Sequence, residues 1–450
     1  MLEVDLSADN LVSALLELSK SETVCLLDSC GVGHLGSHLM IAGIEPREVH
    51  EIRTDNPDEA LAFLDEKLSG DLAAIFTLSY DFGPKLEGIR SRLKASPEPD
   101  IYLSLFDALI VHDYDTKKTY LTGDESKSRL IGERLRTVTV PGAACVPKPS
   151  KYSSNFTKDA YIASVEEIKE RIRRGDTYQT NLTQQLTVRL SKETTPQEIF
   201  RNLRRDHPAP FAAFITRKDS AVVSASPERF FRVEGNRITT SPIKGTRPRG
   251  KTKAEDDALR NELLLSEKDI AENTMIVDLL RNDLGRVCEF GSVKVEKLCD
   301  LEEHPTLLHL VSTIGGELRK DITTADIIKA LFPSGSITGA PKISTMRIID
   351  RIEPSPRGLS MGAIGIYIPK VLSSGFNRLD ARVKPAKVGT NNSILDLSVA
   401  IRTMTIRDNN AVFNVGGGIV IDSDAEKEYE ESLLKAKALL DAIGADRRAT

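Results

Sequence analysis

Five short apolar segments, Leu186–Arg189, Phe211–Ile215, Ala221–Ala225, Phe230–Glu234 and Arg237–Thr240, follow one another without regular helical crossovers between them. Parallel neighbours in a sheet need a crossover of about a dozen residues or more, usually a helix. The last four of these segments are too close in sequence for such a crossover and are most simply paired antiparallel. The spacing therefore predicts an α+β fold with mostly antiparallel sheets rather than a doubly wound parallel sheet.

The rest of the chain fits that frame. Upstream, the β-like runs Thr23–Leu27, Leu72–Leu78, Ile101–His112 and Thr119–Thr122 alternate with helical stretches such as Asp58–Leu68. Downstream, apolar residues recur at helical spacing over Phe156–Arg174, and further helices are predicted over Ala254–Asn282, Thr324–Leu331, Lys342–Ile352 and Ala425–Ile443. A polar, proline-containing stretch, Pro147–Ser154, marks the best boundary. It divides an N-terminal region, residues 1–145, from a larger domain, residues 155–445. At 450 residues, 40% of them hydrophobic, the chain can build one large core or two.

Charge and composition remove several functions. The net charge is −5, with acidic and basic residues interleaved, so no nucleic-acid footprint is expected. No apolar run approaches the roughly 20 residues that span a bilayer. The start, Met1-Leu2-Glu3-Val4-Asp5, lacks the layout of a signal peptide. The five cysteines, Cys25, Cys30, Cys145, Cys288 and Cys299, form no CxxC pair. Reduced thiols in a cytoplasmic protein are expected.

Two places carry paired acids at helical spacing. Asp269 and Glu272 lie three apart, as do Glu428 and Glu431, so each pair shares a helix face. Like charges on one face repel. A magnesium ion between the two helices would offset the repulsion, because it takes hard oxygen ligands and keeps several waters. Two solvated acidic faces would show the same spacing, and composition alone does not decide between them.

Near the second pair, Gly416-Gly417-Gly418 follows the apolar run Ala411–Val415. Adjacent glycines let a ligand approach the backbone, although a simple tight turn is equally consistent. Lys435 lies four residues after Glu431, on the same face. Arg402 sits in the otherwise apolar Ala400-Ile401-Arg402-Thr403, and a buried arginine calls for an anionic partner. A dicarboxylate held partly by metal and partly by Arg402, Lys435 and glycine amides would fit. The small-residue segment Phe332–Lys342 precedes a predicted helix and is either an anion cradle or a packed turn.

Together these segments resemble a known family. Asp278-Leu279-Leu280-Arg281-Asn282-Asp283-Leu284-Gly285-Arg286, His309-Leu310-Val311-Ser312, the FPSGSITGAPK run from Phe332, Ala400–Thr403, and Gly416–Val420 followed by Asp422-Ser423-Asp424 are similar to segments of the chorismate-utilising enzymes. That family includes the anthranilate, aminodeoxychorismate, isochorismate and salicylate synthases. The resemblance is dense over 155–445 and loose before it. It implies a two-sheet sandwich with the N-terminal segment packed onto the catalytic domain. It also implies magnesium at Glu272 and Glu431, with Asp269 and Glu428 beside them. Substrate contacts are implied at Gly245, Thr246, His309, Arg402, Gly416, Gly418 and Lys435.

Within the family, two positions bear on the chemistry. Ser241-Pro242-Ile243-Lys244-Gly245-Thr246 has lysine where anthranilate synthases usually have alanine, and so resembles the aminodeoxychorismate branch. The resemblance makes the Lys244 amine a nucleophile at ring carbon 2, which requires it to be neutral. It makes Glu228, in Ser226-Pro227-Glu228-Arg229, the general acid and base at the departing 4-hydroxyl. A surface lysine in a basic stretch and an ion pair between Glu228 and Arg229 are the plainer alternatives. Gln179 stands where the water-using relatives carry a base lysine, which favours ammonia over water as the nucleophile.

The reading that results is magnesium-dependent amination of chorismate to 4-amino-4-deoxychorismate, on the way to p-aminobenzoate and folate. Its ammonia is expected from a separate glutaminase subunit. The nearest alternative is anthranilate synthesis, with amination at carbon 2 and loss of pyruvate. A non-catalytic paralogue would have eroded carboxylates or lost Lys244, and both are kept. Three departures or side matches are expected to matter locally. Ile366 takes the family's usual tyrosine position, so Tyr367 should face the other side of its strand. Pro369–Ser393 is about fifteen residues longer than expected, as a lengthened hairpin would be. Leu26-Leu27-Asp28-Ser29 resembles a segment at which some relatives bind tryptophan, or is simply a strand ending in a polar turn.

Overall fold

A computed structural model describes residues 2–33, 38–138, 151–303, 307–372 and 393–445. Strands assemble into a twelve-stranded and a ten-stranded sheet, with antiparallel pairing between neighbours such as Phe211–Thr216 with Ala221–Ser226 and Arg229–Glu234 with Arg237–Thr240. The antiparallel α+β expectation is met, in the form of a sandwich with helices on its outer faces.

Burial explains why so many strands read as unbroken apolar runs instead of alternating ones. In Ala73–Leu78, Ala73 and Ile75 face the other sheet, in a core with its Cys25, Ala213 and Val222 and with Ile364 of their own sheet. Ala74, Phe76 and Leu78 point outward, into a core shared with Pro57–Leu68, Glu267–Gly285 and Thr324–Leu331. A second outer core lies between the twelve-stranded sheet and the helices Ala8–Leu18, Pro196–Asp206 and Ala425–Ile443. A strand covered on both faces has no solvent side to keep polar. Ile366 and Tyr367 show the same division, the first packing between the sheets and the second against the outer core, as expected from their alternation.

Several strands change sheet. Ile101–His112, read as one segment, is two strands: Ile101–Phe106 in the ten-stranded sheet and Ala108–Asp113 in the twelve-stranded one. The corner is Asp107, whose carbonyl accepts from the Asp124 amide and whose carboxylate takes Arg47 at 2.9 Å. A further crossing joins Ala221–Ser226 to Arg229–Glu234, and another joins Ile394–Val399 to Thr403–Arg407.

The helix expected over Ala254–Asn282 is also two, Lys253–Leu264 and Glu267–Gly285. Leu265 lies between them, and the Ser266 side chain accepts from the Asp269 amide at 3.3 Å. Such a cap is worth about 1 kcal/mol and starts a new helix. It leaves Asp269 in a first turn, where the helix dipole favours a negative charge, and Glu272 one turn further on.

No helix among the described residues is long and apolar enough to cross a membrane. Cys25, Cys30, Cys288 and Cys299 are free thiols, and Cys145 falls outside the described residues. So do residues 373–392 of Pro369–Ser393, and residues 139–150, which include the first half of the boundary stretch.

Candidate active site

The sheet-to-sheet corners hold two of the expected site residues. Glu228 lies in the crossing after Ser226, with its amide bonded to the Ser226 hydroxyl and its carbonyl to the Val399 amide. It is 6% exposed. Burial pushes its carboxyl up to about 7, against a hydrogen bond from Ser336 and the charge of Lys244, which both lower it. The neighbouring Arg229 is committed to Asp396, Nε to Oδ1 at 3.0 Å. Arg402 lies in the other crossing, in a left-handed conformation with φ 47°, and its carbonyl accepts from the Ala225 amide. Its guanidinium makes no hydrogen bond or ion pair among the described residues, and burial alone lowers its affinity for the proton. A partly buried guanidinium without a partner is able to take an anion.

Lys244 is carried on the strand Ile243–Pro248, which pairs with Leu307–Glu317. The register slips between Lys244 and Thr246, at Gly245, where φ is +79°. A side chain at Gly245 would collide with Leu263 and Asp269, so this glycine lets the Lys244 strand lie against the Glu267–Gly285 helix. The Thr246 hydroxyl bonds the His309 ring at 2.9 Å, and His309 is buried. Burial depresses the Lys244 ammonium. Glu272 and Glu228 oppose that depression, Lys435 adds to it, and Glu431 opposes it weakly. Four charged side chains from three elements therefore surround one amine.

The triglycine run is a strand, not the tight turn it resembles in sequence: Gly416, Gly417 and Gly418 lie within Asn410–Ile419, paired with Thr183, Leu182 and Asn181. A side chain at Gly416 would strike the Leu182 carbonyl, and one at Gly418 would strike the Gln179 amide. Gly417 faces Glu428, Glu431 and Lys435 of the Ala425–Ile443 helix. Lys435 bonds both the Gly416 carbonyl, at 3.0 Å, and Glu431, at 2.8 Å.

The four carboxylates are thus divided between two helices, with Lys244 sensing one from each. Asp269 is tied to Arg247 at 3.2 Å, and Glu272 lies 3.9 Å from Lys268. Glu428 is buried and accepts from Ser423 at 2.8 Å. Burial raises its carboxyl, and Glu431 raises it further. For Glu431, burial acts upward, but Lys435, Lys268 and Lys244 outweigh it and hold it low. Among the described residues, no three His, Cys, Asp or Glu side chains converge closely enough to hold a metal ion unaided. The donor set is nonetheless all hard oxygen. The strained Glu428–Glu431 pair is of the kind that a small divalent cation relieves.

Two contacts were not foreseen from sequence. Ser336, in the small-residue loop, reaches Glu228. Asp283 and Lys342, from separate motifs, form a buried ion pair at 2.7 Å that ties the Glu267–Gly285 helix to the end of that loop. Away from the site, Asp28 of the N-terminal Leu26–Ser29 segment is buried and already bonded by Arg204 Nε at 2.8 Å and by the Tyr114 hydroxyl at 2.6 Å.

A half-buried lysine flanked by acids, a half-buried arginine with no partner among the described residues, and a glycine-lined strand make an arrangement suited to a small anionic compound. The chain belongs to the chorismate binding enzyme family, whose description matches residues 31–371 and 388–441. It is a chorismate-utilising enzyme. The break in the match falls inside the long Pro369–Ser393 segment. It is 37% identical over 385 residues to aminodeoxychorismate synthase component 1 of Bacillus subtilis (strain 168), covering 82% of this chain and 76% of that one. It is 35% identical over 407 residues to anthranilate synthase component 1 of Aquifex aeolicus (strain VF5), covering 85% and 76%. Among solved structures, anthranilate synthase component I from Streptococcus pneumoniae TIGR4 aligns with a TM-score of 0.76 at 28% identity, over 90% of this chain and 93% of that one. The menaquinone-specific isochorismate synthase from Escherichia coli shares the fold, with a TM-score of 0.72 at 16% identity, over 98% and 92%.

Proposed function

We propose that this chain aminates chorismate at carbon 4, giving 4-amino-4-deoxychorismate for p-aminobenzoate and folate synthesis in the cytoplasm. Relatives named for two different aminations are about equally similar, so overall identity does not choose the branch. The observation that carries the choice is Lys244, an amine held among Glu228, Glu272 and Lys435 with its proton affinity lowered by burial.

On this reading Lys244 attacks carbon 2 as a neutral amine. Glu228, protonated near neutrality, gives its proton to the departing 4-hydroxyl, which leaves as water, and then takes one from the new secondary ammonium. Ammonia next bonds to carbon 4 as the bond between carbon 2 and lysine breaks. One proton passes from the incoming nitrogen to the lysine nitrogen, which returns as a neutral amine. Arg402, Lys435, His309, Thr246 and the amides of Gly245, Gly416 and Gly418 bind and orient the substrate. Glu272 and Glu431 would hold magnesium, with Asp269 and Glu428 beside them. When bound, the ion supplies positive charge for a substrate carboxylate. We assign the catalytic residues to the domain 155–445, with residues 1–145 as its packed N-terminal region.

The chain with chorismate, ammonium and magnesium should yield a product bearing nitrogen at carbon 4 and its enolpyruvyl group, read by mass spectrometry and NMR. Carbon-2 amination with pyruvate released would move it to the anthranilate branch. Glutamine should replace ammonium only when a separate glutaminase subunit is added. Glutamine-dependent product from this chain alone would refute the two-component assignment.

Glu228 gives a second, independent test. A carboxyl whose affinity for the proton is higher folded than unfolded costs stability as pH rises from about 4.5 to about 7. Above that window the cost levels off, at on the order of 3 kcal/mol for this difference. Glu228→Gln removes that cost. Melting at pH 8 should show the variant more stable than the parent while turnover collapses. A variant less stable at pH 8 and no less active would remove Glu228 from its role.

A further inference from the structure

Each of the four clustered acids has a basic or hydroxyl neighbour, and three of these neighbours are anchored. Arg247 holds Asp269 at 3.2 Å and is itself tied to Glu262 at 2.8 Å and to the Thr246 carbonyl at 3.0 Å. Lys435 holds Glu431 and the Gly416 carbonyl. Ser423 donates to Glu428 and accepts from the Val420 amide at 3.1 Å. Lys268 is different. Its ammonium lies 3.9 Å from Glu272, its side chain is 60% exposed, and it makes no hydrogen bond among the described residues. At Glu428 and Glu431, on the Ala425–Ile443 helix, burial favours the neutral form, and the charge of Lys268 is among those that oppose it. One loosely held cation therefore acts on acids of both helices.

Helix stability does not explain this lysine. Lys268 follows the Ser266 cap by two residues, in the first turn of Glu267–Gly285, where the helix dipole disfavours a cation. Its i,i+4 pair with Glu272 has the lysine on the N-terminal side, the weaker of the two orders. What the position offers is nearness to a cluster of negative charge. Without a metal, a cation there offsets the mutual repulsion of Glu272, Glu428 and Glu431. With a divalent ion between the helices the sign of its effect reverses, because the ammonium then repels a double positive charge at short range.

We propose that Lys268 is an exchangeable counter-ion of the metal site, neutralising the acids while no metal is bound and thereby weakening the binding of magnesium. This rests on the reading of Glu272 and Glu431 as magnesium ligands. It goes beyond that reading in assigning a residue that sets the ion's affinity without ligating it. Arg247 and Lys435 do not serve in this way, because their further hydrogen bonds hold them in place. Lys268 has no such tie and is free to turn into solvent as the ion arrives.

Magnesium should be titrated calorimetrically into chelator-stripped enzyme, at low ionic strength and without chorismate. Lys268→Met keeps the length of the side chain and should bind magnesium about threefold to tenfold more tightly than the parent. That gain should shrink in about 0.5 M potassium chloride, as screening removes the lysine's repulsion. Lys268→Arg keeps the charge and should stay within about twofold of the parent. The rise in melting temperature over a magnesium series gives the same comparison by a second route, and should be larger for Lys268→Met. Equal or weaker affinity in Lys268→Met, or an equal gain in Lys268→Arg, would overturn the role of Lys268 and leave the magnesium ligands in place. A parent that binds no magnesium, or binds it no better than Glu431→Ala, would remove the metal reading and this proposal with it.

Discussion

Lys244→Ala is expected to lower formation of the carbon-4 amine by on the order of 10³-fold, and to move what amination remains toward carbon 2. The amine that attacks carbon 2 also covers that face of the ring, so its removal deletes a nucleophile and opens a path for ammonia. The strand should survive, because the close approach at this point depends on Gly245 and not on the lysine side chain. Lys244→Arg should not rescue, since a guanidinium stays protonated. Product NMR locates the nitrogen, and the rate gives the size of the effect. A Lys244→Ala enzyme that makes the carbon-4 product at the parent rate would retain the substrate and discard the covalent lysine.

Glu272→Ala or Glu431→Ala should abolish turnover, by about 10³-fold or more, and excess chelator should do the same to the parent. The two losses act differently on the protein alone. Glu431 holds Lys435 at 2.8 Å, so its removal frees a cation beside the triglycine strand and relieves Glu428 of a like charge. Glu272 is the carboxylate whose charge Lys244 feels most strongly, so its removal should depress the lysine further. Turnover in a magnesium series, followed by chelator, checks both. Full activity in excess chelator would end the magnesium assignment.

Much of this was readable before any coordinates, and the exceptions have physical reasons. The helices Thr324–Leu331, Lys342–Ile352 and Ala425–Ile443 match their expected bounds. Two of them begin at side-chain caps, Thr323 with Asp326 in a capping box and Asp424 on Lys427, that leave little choice of start. The helix over Ala254–Asn282 went wrong because periodicity runs through Leu265 while the Ser266 cap restarts the ladder. The run Ile101–His112 gave no hint of two strands, since both halves are fully buried and read alike. At the site, the i,i+3 acids were legible because helical spacing is local. The carboxylate–serine contact of Glu228 and Ser336, and the ion pair of Asp283 and Lys342, span long stretches of chain and exist only once the sheets are stacked. The unpaired state of the Gln179 amide is likewise a property of burial, which residue identity does not reveal.

The strands that change sheet bear on how the molecule can be divided. Cys25–Asp28 pairs with Ala212–Ile215 in one sheet, and Ala74–Leu78 pairs with Ala363–Tyr367 in the other. Separating the N-terminal region from the larger domain would therefore bare two interior strands at once, Phe211–Thr216 and Ala363–Ile368, each with a row of unmet backbone donors and acceptors. Exposed apolar edges of that kind recruit other chains and aggregate. The corner at Asp107 makes the liability mutual, because the excised N-terminal piece would itself straddle two half-sheets with no opposing layer to close them. For engineering, the two pieces are better regarded as halves to be co-expressed than as modules to be purified separately.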